Sequence, residues 1–127
     1  MNMRAEIFCD FTLEAAHRLE NVPSGHKCAR IHGHTYRCTV RLFGSVSEDL
    51  GWIVDYAAVR AAWNERIRPL CDHQYLNETL NMKNTTSEEI ARWVFETLRE
   101  PLPGLSSVTV RETATCGATF FAPGVDR

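Results

Sequence analysis

The segment spanning residues 26–34 reads HKCARIHGH and holds three of the five histidines and one of the five cysteines in the chain. Imidazole nitrogen and thiolate sulfur are common ligands of protein-bound zinc. The same side chains also act as bases and nucleophiles in catalysis. The segment therefore indicates either a closed structural metal site or a catalytic metal held beside a reactive thiol.

Three of the five histidines fall on two segments in which apolar and polar residues alternate, namely residues 7–19 and 32–42. A period of two is typical of a half-buried strand, and His17 lies on the apolar face of the first segment. His32 and His34 project from one side of the second. If the two strands are neighbours, the three imidazoles can converge on one ion and leave a fourth position open, as in catalytic zinc sites.

Two other interpretations of these histidines remain. A single histidine on an apolar face is usually a hydrogen-bonded core residue, whereas three on converging faces favour a metal, and imidazole suits zinc. A closed site in which Cys28 joins His32 and His34 as a structural ligand is the second alternative. We expect a catalytic Zn²⁺ bound by His17, His32 and His34.

Cys28 precedes the second strand and is flanked by His26, Lys27 and Arg30. Positive neighbours favour the thiolate form of a cysteine and hence its reactivity. Five cysteines are an odd number spread along the chain, which argues against a disulfide framework. Cys28 is therefore the candidate catalytic thiol.

Two further polar features have ambiguous roles. A carboxylate beside an imidazole can orient the ring for acid–base chemistry, so Asp72 and His73 form a candidate pair, although most such dipeptides are surface loop. Glu112 ends an apolar strand face, where a buried carboxylate needs a partner. That partner is either an arginine in a salt bridge or the N–H groups of a ligand.

The remaining patterns predict two helices and two more strands. Asp55 can cap a first helix that ends near Pro69, and Thr86 can cap a second. The predicted strands cover residues 107–113 and 117–122. The expected apolar stripes of the two helices are Tyr56, Val59, Trp63, Ile67 and Leu70, and then Ile90, Val94 and Leu98.

The element order ββααββ predicts an α+β fold, a four-stranded antiparallel sheet with two helices on one face. Such a sheet has two open edges, which must be covered or paired with another subunit, so we expect a homo-oligomer. The length and uniform composition predict a single domain over residues 1–127.

Net charge of −2 and a pI near 6.2 argue against a nucleic-acid or membrane partner and favour a small-molecule substrate. The first ten residues lack the apolar region of a signal peptide, and no segment approaches the length of a membrane span. We therefore expect a soluble, unexported chain in the cytoplasm.

Taken together, these residues resemble the 6-pyruvoyltetrahydropterin synthase family, most closely its bacterial branch that forms 6-carboxy-5,6,7,8-tetrahydropterin for queuosine. The similarity rests on six stretches between Asp10 and Thr113. They are DFTLEAAHRL, GHKCARIHGH, GWIVDY, CDHQYLN, TSEEIARWV and VTVRET.

The resemblance implies that His17, His32 and His34 bind zinc, that Cys28 is the catalytic thiol and that Asp72 and His73 complete a proton relay. It implies that Glu112 anchors the guanidine-like edge of a pterin triphosphate substrate. The implied fold is a T-fold (tunnelling) barrel closed by trimerisation and often stacked as a hexamer.

The spacing in the cysteine loop favours one product among those of the family. Pyruvoyl-forming relatives tend to carry a longer gap between the cysteine and the His-Gly-His motif, and another branch has glutamate in place of the cysteine. The short form here favours 6-carboxy-5,6,7,8-tetrahydropterin, acetaldehyde and triphosphate as products. The alternatives are a pyruvoyl-forming or other dihydroneopterin-processing enzyme, and a non-enzymatic zinc module.

Overall fold

A computed structural model describes residues 3–124, which form one five-stranded sheet in the order β3-β1-β2-β4-β5. Neighbouring strands are antiparallel except β3, which pairs parallel to β1 at Ala15 and Ala16. The predicted four-stranded antiparallel sheet is therefore wrong in one respect. A fifth, short strand, β3, pairs parallel to β1, so the sheet is mixed. The strands are β1 (Arg4–His17), β2 (His32–Ser45), β3 (Gln74–Tyr75), β4 (Leu105–Arg111) and β5 (Gly117–Phe121).

Four α-helices lie between β2 and β4, and a 3-10 turn at Lys27–Ala29 precedes β2. Both predicted helix caps are confirmed. The Asp55 side chain accepts the Ala57 N–H, and the Thr86 hydroxyl accepts the Glu89 N–H. The helices are α1 (Tyr56–Arg66), α2 (Arg68–Cys71), α3 (Leu76–Thr79) and α4 (Ser87–Leu98). No helix in the described part of the chain has the length and apolar character needed to cross a membrane.

The first helix is shorter than its apolar pattern predicts. It ends at Arg66, and Pro69 lies in the first turn of α2, where the missing N–H of proline costs no helical hydrogen bond. Tyr56 and Leu70, expected in the buried stripe, are exposed. The break at Ile67 turns the chain, so Leu70 no longer shares a helical face with Val59 and Trp63, whereas Tyr56 is the first residue of α1.

Both long helices pack on one face of the sheet, as predicted. The rings of Phe11 and Trp63 stack with centroids 4.3 Å apart, which joins α1 to β1. Phe95 and Phe120 join α4 to β5 at 5.3 Å. On the opposite face, the hydroxyls of Thr35 and Thr39 donate to the carboxylates of Glu14 and Asp10.

The pairing of β1 with β2 brings the predicted metal ligands together. The register places His17 directly opposite His32 and Ala15 opposite His34. The loop between the strands folds back on β1, because the Leu19 N–H donates to the Cys28 carbonyl at 2.7 Å. The sheet thus fixes the backbone of all three histidines and of the cysteine loop at one end of the molecule.

Candidate metal and catalytic site

The rings of His17, His32 and His34 form a cluster at the end of β1 and β2. Their centroids are 4.6 Å apart for His17 and His32, 5.1 Å for His17 and His34, and 4.9 Å for His32 and His34, each pair edge to face. One ligand atom from each histidine and one from Glu112 all lie within 4.8 Å of one another. Four such atoms can converge on a single metal ion.

His17 is held in the form that binds a metal. Its Nδ1 lies 2.8 Å from the carbonyl oxygen of Thr85, which can only accept, so Nδ1 carries the ring proton and Nε2 carries a lone pair. Nε2 is buried without a hydrogen-bond partner. Burial also lowers the pKa of His17, which favours the neutral imidazole.

Each of the other two histidines shares one of these features with His17. Nδ1 of His32 lies 2.7 Å from the carbonyl oxygen of Arg30, so its Nε2 is also free to act as a ligand. Nε2 of His34 is buried without a hydrogen-bond partner. Outer carbonyl contacts of this kind orient the imidazoles that bind metals. The residues present therefore fit a divalent ion that prefers nitrogen ligands, such as zinc.

Glu112 lies closer to this cluster than sequence reasoning predicted. β4 ends at Arg111, and Glu112 directly follows it. Its Oε1 is 3.2 Å from Nε2 of His17 and 3.1 Å from Nε2 of His34, in neither case with hydrogen-bond geometry. The strand register explains this position, because Arg111 pairs with Arg37 and the next residue after β4 lies toward the end of β2 that carries His34.

Sequence reasoning also missed Tyr36 and Thr85. The Tyr36 ring packs edge to face against His17 and His34, at 5.8 and 5.5 Å, and its hydroxyl is buried without a hydrogen-bond partner. Burial raises the pKa of this phenol, so it stays protonated. Tyr36 could have been identified, since it continues the His32 and His34 face of β2. Thr85 could not, because only the folded chain brings it to His17.

Cys28 lies in the 3-10 turn at Lys27–Ala29 and is half-buried. Its N–H donates to Nδ1 of His26 at 3.0 Å, and its carbonyl is bound by Leu19, two residues beyond His17. Within residues 3–124, the group able to hold a metal does not include Cys28. This arrangement favours a metal site without the Cys28 sulfur over a closed site that uses it.

The four remaining cysteines are also free. Burial raises the pKa of Cys38, and it raises that of Cys71 to about 12, so both thiols stay protonated in the core. Cys9 is half-buried, and Cys116 is exposed beside Thr115.

Asp72 and His73 form the expected pair. Oδ2 of Asp72 lies 3.3 Å from Nδ1 of His73, and Oδ1 accepts the backbone N–H of Glu14 at 3.0 Å. That N–H bond, followed by the His73 contact, holds the pKa of Asp72 below its ordinary value. His73 has a positive φ of 59°, a strained conformation that is more frequent at functional sites. Its side chain is 77% exposed.

A surface cavity of about 560 Å³ is lined by His73 and by residues of β1 and β2 that include His34. His34 lines one part of it, and His73 and Tyr75 line another. β3 fixes this relationship, because it pairs Gln74 and Tyr75 with β1 directly after the Asp72–His73 dipeptide. His34 and His73 therefore share the lining of one cavity, to which Asp72, His17 and His32 do not contribute.

Comparisons with known proteins find several similar sequences and structures. A 6-carboxy-5,6,7,8-tetrahydropterin synthase from Synechocystis is 37% identical over 122 residues, which cover 92% of this chain and 93% of the relative. A dihydroneopterin monophosphate aldolase from Pyrococcus furiosus is 30% identical, over 80% of this chain and 82% of the relative. The structure of a 6-pyruvoyl tetrahydropterin synthase from Caenorhabditis elegans has a TM-score of 0.85 and 26% identity, covering 94% and 96% of the two chains.

The sequence model of the family described as 6-pyruvoyl tetrahydropterin synthase matches residues 6–123, nearly the whole chain. The matched region contains every residue of the site described above. The chain belongs to the 6-pyruvoyl tetrahydropterin synthase family.

Proposed function

We propose that this chain is a zinc-dependent lyase that converts 7,8-dihydroneopterin triphosphate to 6-carboxy-5,6,7,8-tetrahydropterin, acetaldehyde and triphosphate. The observation that carries the proposal is the convergence of three imidazoles, two with buried and unpartnered Nε2 atoms, at the strand end where the Cys28 carbonyl accepts the Leu19 N–H. The Synechocystis relative, named for this carboxylated product, supports the choice. The reaction would serve queuosine biosynthesis in the cytoplasm.

His17, His32 and His34 would hold Zn²⁺ through nitrogen, with Glu112 close by. The ion supplies Lewis acidity toward the hydroxyl groups of the substrate side chain, which makes an adjacent C–H proton easier to remove. Among the chain's own groups, the Cys28 thiolate would take that proton. His73, oriented by Asp72 at 3.3 Å, would return a proton to the ring.

These proton transfers reduce the dihydropterin ring to the tetrahydropterin level while the substrate's own side chain is oxidised, so the reaction needs no external oxidant or reductant. Loss of triphosphate leaves a side chain with two adjacent carbonyls. Addition of water then breaks the bond between them, so that one carbon becomes the carboxylate and the other two leave as acetaldehyde. The carbon count balances, and water supplies the second carboxylate oxygen.

Glu112 would recognise the pterin. Its carboxylate is one-third exposed, so it can accept N–H groups from the guanidine-like edge of the ring. Oligomerisation into trimers or hexamers would cover the open edges of the sheet, β5 on one side and most of β1 on the other.

A second dihydroneopterin-processing activity is the competing candidate, favoured by the names of the Pyrococcus furiosus and Caenorhabditis elegans proteins. Incubation of the zinc-loaded protein with 7,8-dihydroneopterin triphosphate, followed by product identification, tests both. Acetaldehyde with the carboxylated pterin supports the lyase. Loss of triphosphate without acetaldehyde supports a pyruvoyl-forming enzyme, and an unchanged substrate supports a non-enzymatic zinc module.

A further inference from the structure

Behind the histidine cluster lies a polar network built around Asn77. Its Oδ1 accepts the Arg18 N–H at 2.9 Å, and its Nδ2 donates to the Arg18 carbonyl at 2.8 Å. The side-chain amide of Asn77 thus satisfies both the backbone N–H and the backbone carbonyl of Arg18, as a neighbouring strand would. It continues the β1–β3 pairing, which ends at Ala16 and Tyr75, past His17.

Thr85 connects this amide to the metal ligand. Its side chain is fully buried, and its Oγ1 lies 3.0 Å from the Arg18 carbonyl and 3.3 Å from Oδ1 of Asn77. Both of those atoms can only accept while Nδ2 of Asn77 donates to Arg18, so the hydroxyl proton must point toward one of them. Oγ1 also lies 3.1 Å from Nδ1 of His17. Because its proton points elsewhere, it presents a lone pair to that nitrogen.

His17 therefore meets two acceptors at Nδ1, the hydroxyl oxygen and the carbonyl oxygen of Thr85. If the ring proton moved to Nε2, the Nδ1 lone pair would face two oxygen lone pairs at a site shielded from water. A buried polar contact without a shared proton is costly. The network therefore disfavours the Nε2–H tautomer, which cannot bind a metal through Nε2.

We propose that Thr85 and Asn77 are positioning residues that hold His17 as the Nδ1–H tautomer, with its Nε2 lone pair aimed at the metal. The proposal deepens the proposed function and rests on its metal site, although the tautomer itself can be measured in the metal-free chain. The two residues act through His17 and touch neither metal nor substrate.

The network also ties together two parts of the site. Asn77 lies in α3, which follows Asp72 and His73 after the two residues of β3. Its side chain is hydrogen-bonded to the backbone of Arg18, the residue after His17. A change at Asn77 would therefore displace the acid–base pair along with the ligand. Thr85 is the better residue to change, because its hydroxyl contacts His17 directly and makes no contact with Asp72 or His73.

The first test measures zinc affinity in a Thr85→Val variant, which keeps the shape and the backbone carbonyl but lacks the hydroxyl. Competition with a chromophoric chelator should give zinc binding weakened by about 10- to 100-fold, the usual effect of removing an outer-shell partner. Thr85→Ser, which keeps the oxygen, should stay within about threefold of the original chain. Equal affinity in Thr85→Val would overturn the proposal.

Thr97→Val is the matched control, because the Thr97 hydroxyl donates to the Trp93 carbonyl at 2.7 Å inside α4, away from the cluster. Thermal unfolding of the metal-free variants checks that both changes cost similar stability. A zinc affinity reduced equally in Thr97→Val and Thr85→Val would mean a general loss of stability and would contradict the proposal.

The second test needs no variant. Heteronuclear NMR of the imidazole nitrogens in the metal-free chain should show His17 as the Nδ1–H tautomer, and a mixture or the Nε2–H form would overturn the proposal even if Thr85→Val failed to fold. A chain that binds no zinc would contradict the proposed function, whereas a zinc-binding chain with a mixed tautomer would contradict only this inference.

Discussion

Oε1 of Glu112 lies 3.1 Å from Nε2 of His34. Ligand bonds of about 2.0–2.2 Å in a tetrahedral site place two neighbouring ligand atoms about 3.4 Å apart. The contact is therefore short enough for a shared ion, and the carboxylate is also exposed enough to meet a substrate. The two roles predict different behaviour when the charge of Glu112 is removed.

Glu112→Gln should leave zinc stoichiometry unchanged and weaken pterin binding by about 2 kcal/mol, roughly 30-fold, because a charge-assisted hydrogen bond is lost. Metal analysis of the purified variant and titration with a pterin product measure the two quantities. If zinc is lost and the pterin still binds, Glu112 is a metal ligand rather than the pterin anchor.

Cys28→Ala should retain zinc and fold normally but lose turnover by about 10²- to 10⁴-fold, the usual contribution of a positioned base. Cys116→Ala is the matched control, since that thiol is also free and exposed, and the backbone carbonyl through which Cys116 accepts the Glu112 N–H is kept in alanine. Steady-state rates with 7,8-dihydroneopterin triphosphate give the comparison. A near-normal rate in Cys28→Ala would remove the thiol from the mechanism.

His32→Ala should lose zinc and activity together, because two imidazoles hold zinc more weakly than three. Metal content and rate should fall in proportion across a series of partly loaded samples. Prolonged chelation of the unaltered protein should abolish turnover, and added zinc should restore it. A fully chelated enzyme running at its original rate would contradict the metal assignment.

The metal-free protein should lose stability on acidification. Burial lowers the pKa of His17 below the ordinary imidazole value of 6.5, so the unfolded chain takes up a proton at a higher pH than the folded chain. The free energy of unfolding should therefore decrease as pH falls below about 6.5, down to the folded pKa. Urea unfolding at several pH values measures the slope, which should be smaller in His17→Asn. An equal slope would assign the effect to other groups.

Arg37→Gln should stabilise the chain at low salt by about 0.5 kcal/mol, because Arg37 and Arg111 are directly opposite each other on β2 and β4 and like charges in that position repel. Among residues 3–124, no carboxylate lies within ion-pair distance of either guanidinium. The gain should vanish in molar salt.

Arg92→Gln is the control for that comparison, since Arg92 already pairs with Glu89 at 2.7 Å. Its removal should have no stabilising effect at either salt concentration. Unfolding midpoints in denaturant at low and high ionic strength provide the measurement. A gain in Arg37→Gln that persists in high salt would contradict an electrostatic cause.

Much of the fold follows from sequence periodicity. The alternation in β1 and β2 is long enough to predict both strands and to put the three histidines on one face. The capping residues Asp55 and Thr86 predict where the long helices begin, because a cap acts locally through its own side chain.

The errors have a common physical origin in contacts between distant segments. β3 has only two residues, too few for a period to appear, and it exists because it pairs with Ala15 and Ala16. Thr85 and Glu112 likewise acquire their places at the cluster from packing rather than from local sequence. Periodicity shows which face a residue occupies but not which distant residue it meets.

The shortness of β3 has a consequence for assembly. It covers the outer edge of β1 only at Ala15 and Ala16, so the peptide groups nearer the start of β1 face outward on an uncovered edge. An incoming strand from another subunit could extend along that edge only until it collided with the Gln74–Tyr75 segment. The Gln74–Tyr75 segment would therefore limit how far such a strand extends along β1 and so set its register. The end of that strand would lie next to Asp72 and His73.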